Sequence, residues 1–248
     1  MAPGRKAADI DAILLDIEGT ITPIAFVHEV LFPYARDRAK KFLVSHYIVP
    51  EVLADIATLR QEHDADVRQA LEPPPLVEQT AEEGIDSITN YVHWLIDRDR
   101  KSTGLKSLQG KIWREGYSDG TLKAQLFDDV APALRRWSGA NLRIGIFSSG
   151  SVLAQRLLLA HTNAGDLTGL IDDYFDTTTG PKTAAESYRT IAASLGLPAA
   201  KILFISDVVA ELEAAGAAGM QTLLCIRPGN NPQPTMHDHR SVEDFAGL

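Results

Sequence analysis

The sequence predicts an α/β fold: a doubly wound, parallel, five-stranded sheet with an inserted α-helical cap domain. Three observations predict it. Five short runs are almost wholly apolar and do not alternate, as strands covered on both faces should read. Helical patterns separate the last four of these runs. About 125 residues without a convincing strand separate the first run from the second.

The first strand is "AILLD" (12–16), which ends in "IEGT" and so in charge and a glycine. The long gap follows. It holds helical stretches around 26–46, 50–71, 76–100 and 104–118, and the Pro-rich break "EPPPL" (72–76) ends one of them. We therefore expect residues 9–22 and 124–248 to form the sheet domain and residues 23–123 the helical cap. The cap would spring from the C-terminal end of the first strand, where open α/β sheets bind ligands, and could serve as a lid. "LRIGIFSS" (142–149) is the second strand, followed by a helix over 151–163. "YFDTT" (174–178) is the third, followed by "AAESYRTIAASLG" (184–196), whose Gly196 is a helix stop with Pro198 beyond. "KILFISD" (201–207) precedes an Ala-rich helix over 208–219, and "QTLLCI" (221–226) closes the sheet. The segment after it, including "MHDHR" (236–240), reads as a mobile tail rather than a metal site.

Composition narrows the function. Of the 248 residues, 45% are hydrophobic and 23% charged, an ordinary composition for a water-soluble fold with a real core. The net charge of −9 argues against nucleic-acid binding, which needs a basic face, and means that an anionic substrate must be drawn by a local site. The lone cysteine, Cys225, excludes an intrachain disulfide and sits in an apolar run. The start, "MAPGRKAADID", lacks a signal-peptide core, and no apolar stretch approaches a membrane span, so a cytoplasmic protein is expected.

Four strand ends carry polar groups suited to one task. Asp16 and Glu18 follow the first strand, Ser148-Ser149-Gly150-Ser151 the second, Gly180-Pro181-Lys182 the third, and Ser206-Asp207 the fourth. In a parallel sheet these ends share one edge. Each group alone reads as a turn, a helix cap or a solvated side chain; their conjunction does not. Carboxylates at 16, 18 and 207 crowd negative charge that needs compensation. Mg²⁺ suits them, because it takes one or two carboxylates, keeps waters and shares phosphate oxygens. Lys182 adds a positive charge. Ser148 or Ser149 can donate hydroxyl and N–H bonds at a helix N-terminus, where anions bind. The set describes phosphoryl transfer: Asp16 attacks phosphorus, and a carboxyl two residues on serves as acid and then base.

These motifs are similar to a known family. "DIEGT", "SSGS", Lys182 and "SDVVAE" resemble the haloacid dehalogenase-like (HAD-like, Rossmann-type) superfamily. Most phosphatases of that superfamily carry Asp at both acidic positions of the first motif. Glu18 instead resembles the enolase-phosphatases of methionine salvage, as do "LQGKIWREGYSDGTLKAQLFDDVAPAL" (108–134), "YFDTTTGPKTAAESYRTIA" (174–192) and "RPGN" (227–230). The resemblance implies one Mg²⁺ per subunit and a monomeric cytoplasmic enzyme acting on a small phosphorylated diketone, 2,3-diketo-5-methylthiopentyl-1-phosphate. That substrate is enolised, then dephosphorylated to 1,2-dihydroxy-3-keto-5-methylthiopentene. It also implies roles: Asp16 as nucleophile and metal ligand, Glu18 as acid/base and as metal ligand through its carbonyl, Ser148, Ser149 and Lys182 on the substrate phosphate, and Asp207 on the metal. The alternatives are a phosphatase of the same superfamily for another small metabolite and an inactive phosphometabolite-binding protein.

Two readings stay open. Glu211, one turn after Asp207, is either an acceptor that orients Lys182 or a metal-bound water, or a solvated helix residue. Trp113 and Tyr117, at helical spacing, read as cap core rather than substrate contacts.

Overall fold

The computed structural model describes residues 10–234 and 237–248. Most of the leader "MAPGRKAADID", the expected domain boundary at residue 9 and Met236 of "MHDHR" lie outside the described residues. Backbone contacts divide the chain into two compact units: one built from the chain up to Val27 and from Lys123 to Leu248, the other from His28 to Leu122.

The first unit is a parallel sheet. Its strands are β1 (Ala12–Leu15), β2 (Arg143–Phe147), β3 (Asp173–Phe175), β4 (Ile202–Ser206), β5 (Gln221–Cys225) and β6 (Ser241–Val242). They lie in the order β3-β2-β1-β4-β5-β6, every pair parallel. The sheet therefore has six strands, not five. β6 escapes sequence reading because it is two residues long, only partly buried, and carries no apolar run. It also replaces the expected mobile tail. Leu224 N–H donates to Arg240 O, Ile226 N–H donates to Val242 O, and Phe245 is fully buried. Arg227 pins this return: its guanidinium makes a two-pronged pair with Asp129 at 2.9 Å and lies between the rings of Phe127 and Phe245. β3 is also shorter than expected, because the Asp176 carboxylate accepts from Thr178 N–H and Oγ1–H and turns the chain away.

β1 is buried along its whole length and sits between β2 and β4. The strand order reverses there, so the crevice at its C-terminal end is the expected ligand position. Helices α5 (Val130–Gly139), α6 (Val152–Ala160), α7 (Ala185–Leu195) and α8 (Val209–Ala217) cover the sheet; the four in the other unit are described below. One core face gathers Leu14, Phe147, Tyr188, Ile191, Phe204 and Leu212. Tyr188 stands edge-on to Phe147, and its hydroxyl donates 2.7 Å to the carbonyl of Lys182, so the core fixes that loop.

The second unit is helical: α1 (Phe32–His46), α2 (Pro50–Arg68), α3 (Ala81–Ile96) and α4 (Thr103–Ser118), with a π-helical turn over Phe26–Leu31 entering α1. α3 starts later than expected because Thr80 caps it, accepting from Glu83 N–H while donating to the Glu83 carboxylate. Ser102 caps α4. Trp113 and Tyr117 are buried, and Trp113 Nε1–H donates to Leu31 O. α2 and α4 pack closely at Gly104, where a Cβ would lie 2.8 Å from Leu59 Cγ and 3.0 Å from its backbone nitrogen. Gly104→Ala should therefore cost about 1–3 kcal/mol in denaturant unfolding. Gly139→Ala, at the open end of α5 with nothing within 4 Å, should be neutral or stabilising. Equal effects of the two would contradict this packing.

Among the described residues, no helix is long and apolar enough to cross a membrane.

Candidate active site

Asp16 is the first residue past β1, and its N–H donates to Ile205 O on β4, which sets where the carboxylate emerges. The next turn is tight: the carbonyl of Ile17 accepts from the N–H groups of Thr20, Ile21 and Thr22. Gly19 makes this possible with φ of +70°. The same glycine is a cradle. A Cβ on it would fall 2.7 Å from Asp207 Cγ and 2.9 Å from Asn230 Oδ1.

Lys182 is buried and shared between two carboxylates. Its Nζ lies 2.5 Å from Asp16 Oδ1 and 2.7 Å from Glu211 Oε2. Ser206 Oγ–H donates 2.9 Å to the same Glu211 oxygen. The reading of Glu211 as an acceptor on Lys182 therefore matches the geometry, and the reading as a solvated residue does not: it is 9% exposed. Asp207 follows β4 and is also buried. Ser148, buried at the end of β2, accepts from Gly150 N–H through its Oγ, and Ser149 beside it is half-buried. Ser151 is the cap of α6 rather than a further anion ligand, accepting from Ala154 N–H. Glu18 is half-buried on the loop after Asp16.

The electrostatics follow from counting. Asp16, Asp207 and Glu211 are three buried carboxyl groups near one ammonium, so full ionisation leaves an excess of two negative charges. Such an excess is tolerated only by retaining protons or by admitting a cation. Burial would push the Lys182 ammonium down, but Asp16 and Glu211 outweigh it and hold the group above its ordinary value. Burial, reinforced by Asp16, pushes the Asp207 carboxyl up to about 7. Burial and Asp16 likewise raise Glu211 against the opposing pull of Lys182.

This gives a signed expectation for the cation-free protein. The ordinary value of Asp207 is 3.8, so between there and about 7 the folded chain holds a proton that the unfolded chain has lost. Stability contributed by that proton is present at low pH and is lost as pH rises through this window. Unfolding midpoints taken in a chelator should fall across it, and Asp207→Asn should flatten the fall. An unchanged slope in the variant would contradict the assignment.

The donor set also fits a divalent cation. Among the described residues, no three His, Cys, Asp or Glu side chains enclose a metal by themselves. Mg²⁺ does not need three such side chains, because it takes one or two carboxylates and keeps several waters. Asn230 Oδ1, which lies against Gly19, is buried and has no hydrogen-bond partner.

Residues 10–219 match the haloacid dehalogenase-like hydrolase family. Over 221 residues the chain is 56% identical to "Enolase-phosphatase E1" of Synechococcus elongatus, covering 89% of this chain and 90% of that protein. The chain is an enolase-phosphatase family member.

Other enolase-phosphatase relatives are longer. "Probable bifunctional methylthioribulose-1-phosphate dehydratase/enolase-phosphatase E1" of Arabidopsis thaliana is 44% identical over 95% of this chain, which spans only 47% of that protein. Among solved structures, the UTR4 protein of Saccharomyces cerevisiae superposes with a TM-score of 0.77 at 34% identity, covering 97% of this chain and all of that one. Membership makes the chain a HAD-like phosphoric ester hydrolase of the α/β class.

The sequence singles out Asp16, Glu18, Ser148, Ser149, Lys182, Asp207 and Glu211. It gives no sign of the close approach at Gly19, of Ser206 as the donor to Glu211, or of Asn230. The motif "RPGN" flagged the last of these only as a family likeness, with no role attached.

Proposed function

We propose that the protein is the Mg²⁺-dependent enolase-phosphatase of methionine salvage. It converts 2,3-diketo-5-methylthiopentyl-1-phosphate, through its enol, to 1,2-dihydroxy-3-keto-5-methylthiopentene and phosphate. The single observation that carries the reading is the buried Asp16–Lys182–Glu211 chain at the end of the central strand, in a chain 56% identical to an enolase-phosphatase.

Asp16 and Asp207, with the Glu18 carbonyl, would hold the cation, which supplies positive charge to the phosphoryl oxygens. Lys182 holds Asp16 Oδ1, so rotation of the carboxylate is blocked and its other oxygen is presented to phosphorus. Attack forms the Asp16–O–P bond as the bond between phosphorus and the substrate's ester oxygen breaks, that oxygen leaving on the substrate carbon. Glu18 gives its proton to the leaving oxygen, then takes one from the water that cleaves the aspartyl-phosphate. Ser148 and Ser149 donate to the phosphoryl group, and the Lys182 ammonium balances its charge. Ser206 and Glu211 hold Lys182 in place. The sheet unit carries this chemistry, the helical insertion serves as cap, and the enzyme is a cytoplasmic monomer.

Glu18 also explains the departure from the commoner Asp. One extra methylene adds about 1.5 Å of reach, enough to serve the carbon acid beside the carbonyl while Asp16 stays on phosphorus. Enol and free phosphate should be followed separately with the diketo phosphate and Mg²⁺. Glu18→Asp should slow enol formation by about tenfold or more beyond its effect on hydrolysis of a simple phosphate ester, a differential of the size one positioned acid or base provides. Equal loss in both would remove the division of labour. Comparable turnover of sugar phosphates would instead make the protein a phosphatase of other metabolites.

A further inference from the structure

We infer that Arg227 and Asn230 are positioning residues for Glu18: together they clamp two successive carbonyls of the turn that carries it. The inference rests on the reading of Glu18 as the acid and base of the reaction.

The turn after Asp16 is anchored by backbone at both ends. Asp16 N–H donates 3.0 Å to Ile205 O at its start, and Phe127 N–H donates 3.1 Å to Ile21 O at its finish. Glu18 lies between these anchors. There the Ile17 carbonyl accepts from Thr20, Ile21 and Thr22, and Gly19 N–H donates to Thr22 O. Those bonds fix the shape of the turn but not where it sits. Two side chains from the segment after β5 do that. Arg227 Nε–H donates 3.2 Å to Thr20 O, and Asn230 Nδ2 donates 3.0 Å to Gly19 O. The two carbonyls belong to the two residues that follow Glu18. The two donors are the first and last residues of "RPGN", a motif that the phosphoryl-transfer steps leave without a task.

Arg227 is built to hold a direction. Its guanidinium is buried, and Nη1 and Nη2 each donate 2.9 Å to the Asp129 carboxylate. Nη1 also donates 2.9 Å to Glu243 O, and the Phe127 and Phe245 rings lie 4.6 and 4.5 Å from the guanidinium carbon. A planar fork fixed in this way leaves Nε–H a single direction in which to point. The pair with Asp129 does not need Nε, and this hydrogen joins the C-terminal return to the catalytic turn. Asn230 moves with Arg227, because its N–H donates 3.2 Å to Arg227 O and its second amide hydrogen goes to Cys225 O at 3.3 Å. Asp16 does not depend on the clamp, being held by Ile205 O and by Lys182. The clamp therefore bears on Glu18 and leaves the nucleophile and the phosphate-binding groups in place.

The test combines kinetics with amide exchange on the full chain. Arg227→Lys keeps a charge beside Asp129 but loses the fork. Asn230→Ala leaves the Arg227–Asp129 pair intact, so it decides the matter if Arg227→Lys does not fold. With the diketo phosphate and saturating Mg²⁺, each should lower kcat for phosphate release about 10–100-fold, the scale of a small misplacement of a reacting group. KM should change little, since Ser148, Ser149 and Lys182 stand on other elements. Either change added to Glu18→Gln should cost almost nothing more, because it acts through a side chain whose acid is already gone. Without substrate, amide exchange of the peptide spanning 17–22 should quicken in both variants, and that of β1 should not. Parent-like kcat and parent-like exchange would overturn the inference. So would losses that multiply with that of Glu18→Gln, which would make the clamp a support of the fold alone. Parent-like turnover by Glu18→Gln would remove the reading of Glu18 itself, and this inference with it.

Discussion

Lys182→Met should be both inactive and markedly unstable, and the instability should depend on pH. The methylene stem is kept, so packing against the neighbouring core changes little, while the ammonium between Asp16 and Glu211 is lost. Removing one partner of a buried ion pair leaves an uncompensated charge and costs about 3–5 kcal/mol. For a chain of this size that is a fall in Tm on the order of 10 °C. Protonation relieves the penalty, since Asp207 and Glu211 already lie near the point of taking up protons at neutral pH. The variant should therefore be closest to the parent near pH 5.5 and furthest from it near pH 8. Adding Glu211→Gln should restore part of the stability and none of the activity, because one of the three buried carboxylates is gone but the phosphoryl charge is still unbalanced. Phosphate release should drop by about 10³-fold, the scale of losing one preorganised electrostatic group. A small loss of stability with no pH dependence would mean that the ammonium does not balance these carboxylates.

Asp16→Asn should behave in the opposite way. The amide is nearly isosteric but is not a nucleophile, so turnover should fall by roughly 10⁴-fold or more, as when the attacking group of a covalent mechanism is removed. The fold should not suffer. Asp16 contributes one of the carboxylates in excess, and Lys182 keeps Glu211 as its partner. Chelator-treated protein should unfold within about 1 kcal/mol of the parent, while its gain in stability on adding Mg²⁺ should shrink. Lys182→Met and Asp16→Asn thus separate what holds the site together from what reacts there. Retained turnover in a folded Asp16→Asn protein would end the account.

Much of this is legible in the sequence, for a physical reason. Strands buried on both faces must be apolar throughout, so β1, β2, β4 and β5 stand out as runs, and the polar residue that ends each run marks the sheet edge. Asp16, Ser148 and Asp207 follow directly from that. Lys182 needed more, since it lies beyond a turn after the short β3, and its neighbours on either side are ordinary turn residues. Glu211 was undecided because a helical position one turn after Asp207 faces inward or outward equally well. Only the Ser206 hydroxyl and the Lys182 ammonium, arriving from other elements, decide it. The contacts that escaped are those made across great separations by residues that look unremarkable locally. Asn230 meets Gly19 across 211 positions, and Arg227 meets Asp129 across 98. β6 escaped because an exposed two-residue edge strand has no hydrophobic signature of its own.

The covalent intermediate is the most direct evidence to seek. Enzyme mixed with Mg²⁺ and the diketo phosphate should be quenched in acid within a single turnover, digested and mapped by mass spectrometry. The phosphoryl group should be found on the peptide "AILLDIEGT" at Asp16, and should be missing from the Asp16→Asn protein treated identically. A phosphoryl group on another residue, or full turnover with no phosphorylated enzyme at any time point, would contradict the assignment of Asp16 as the attacking group.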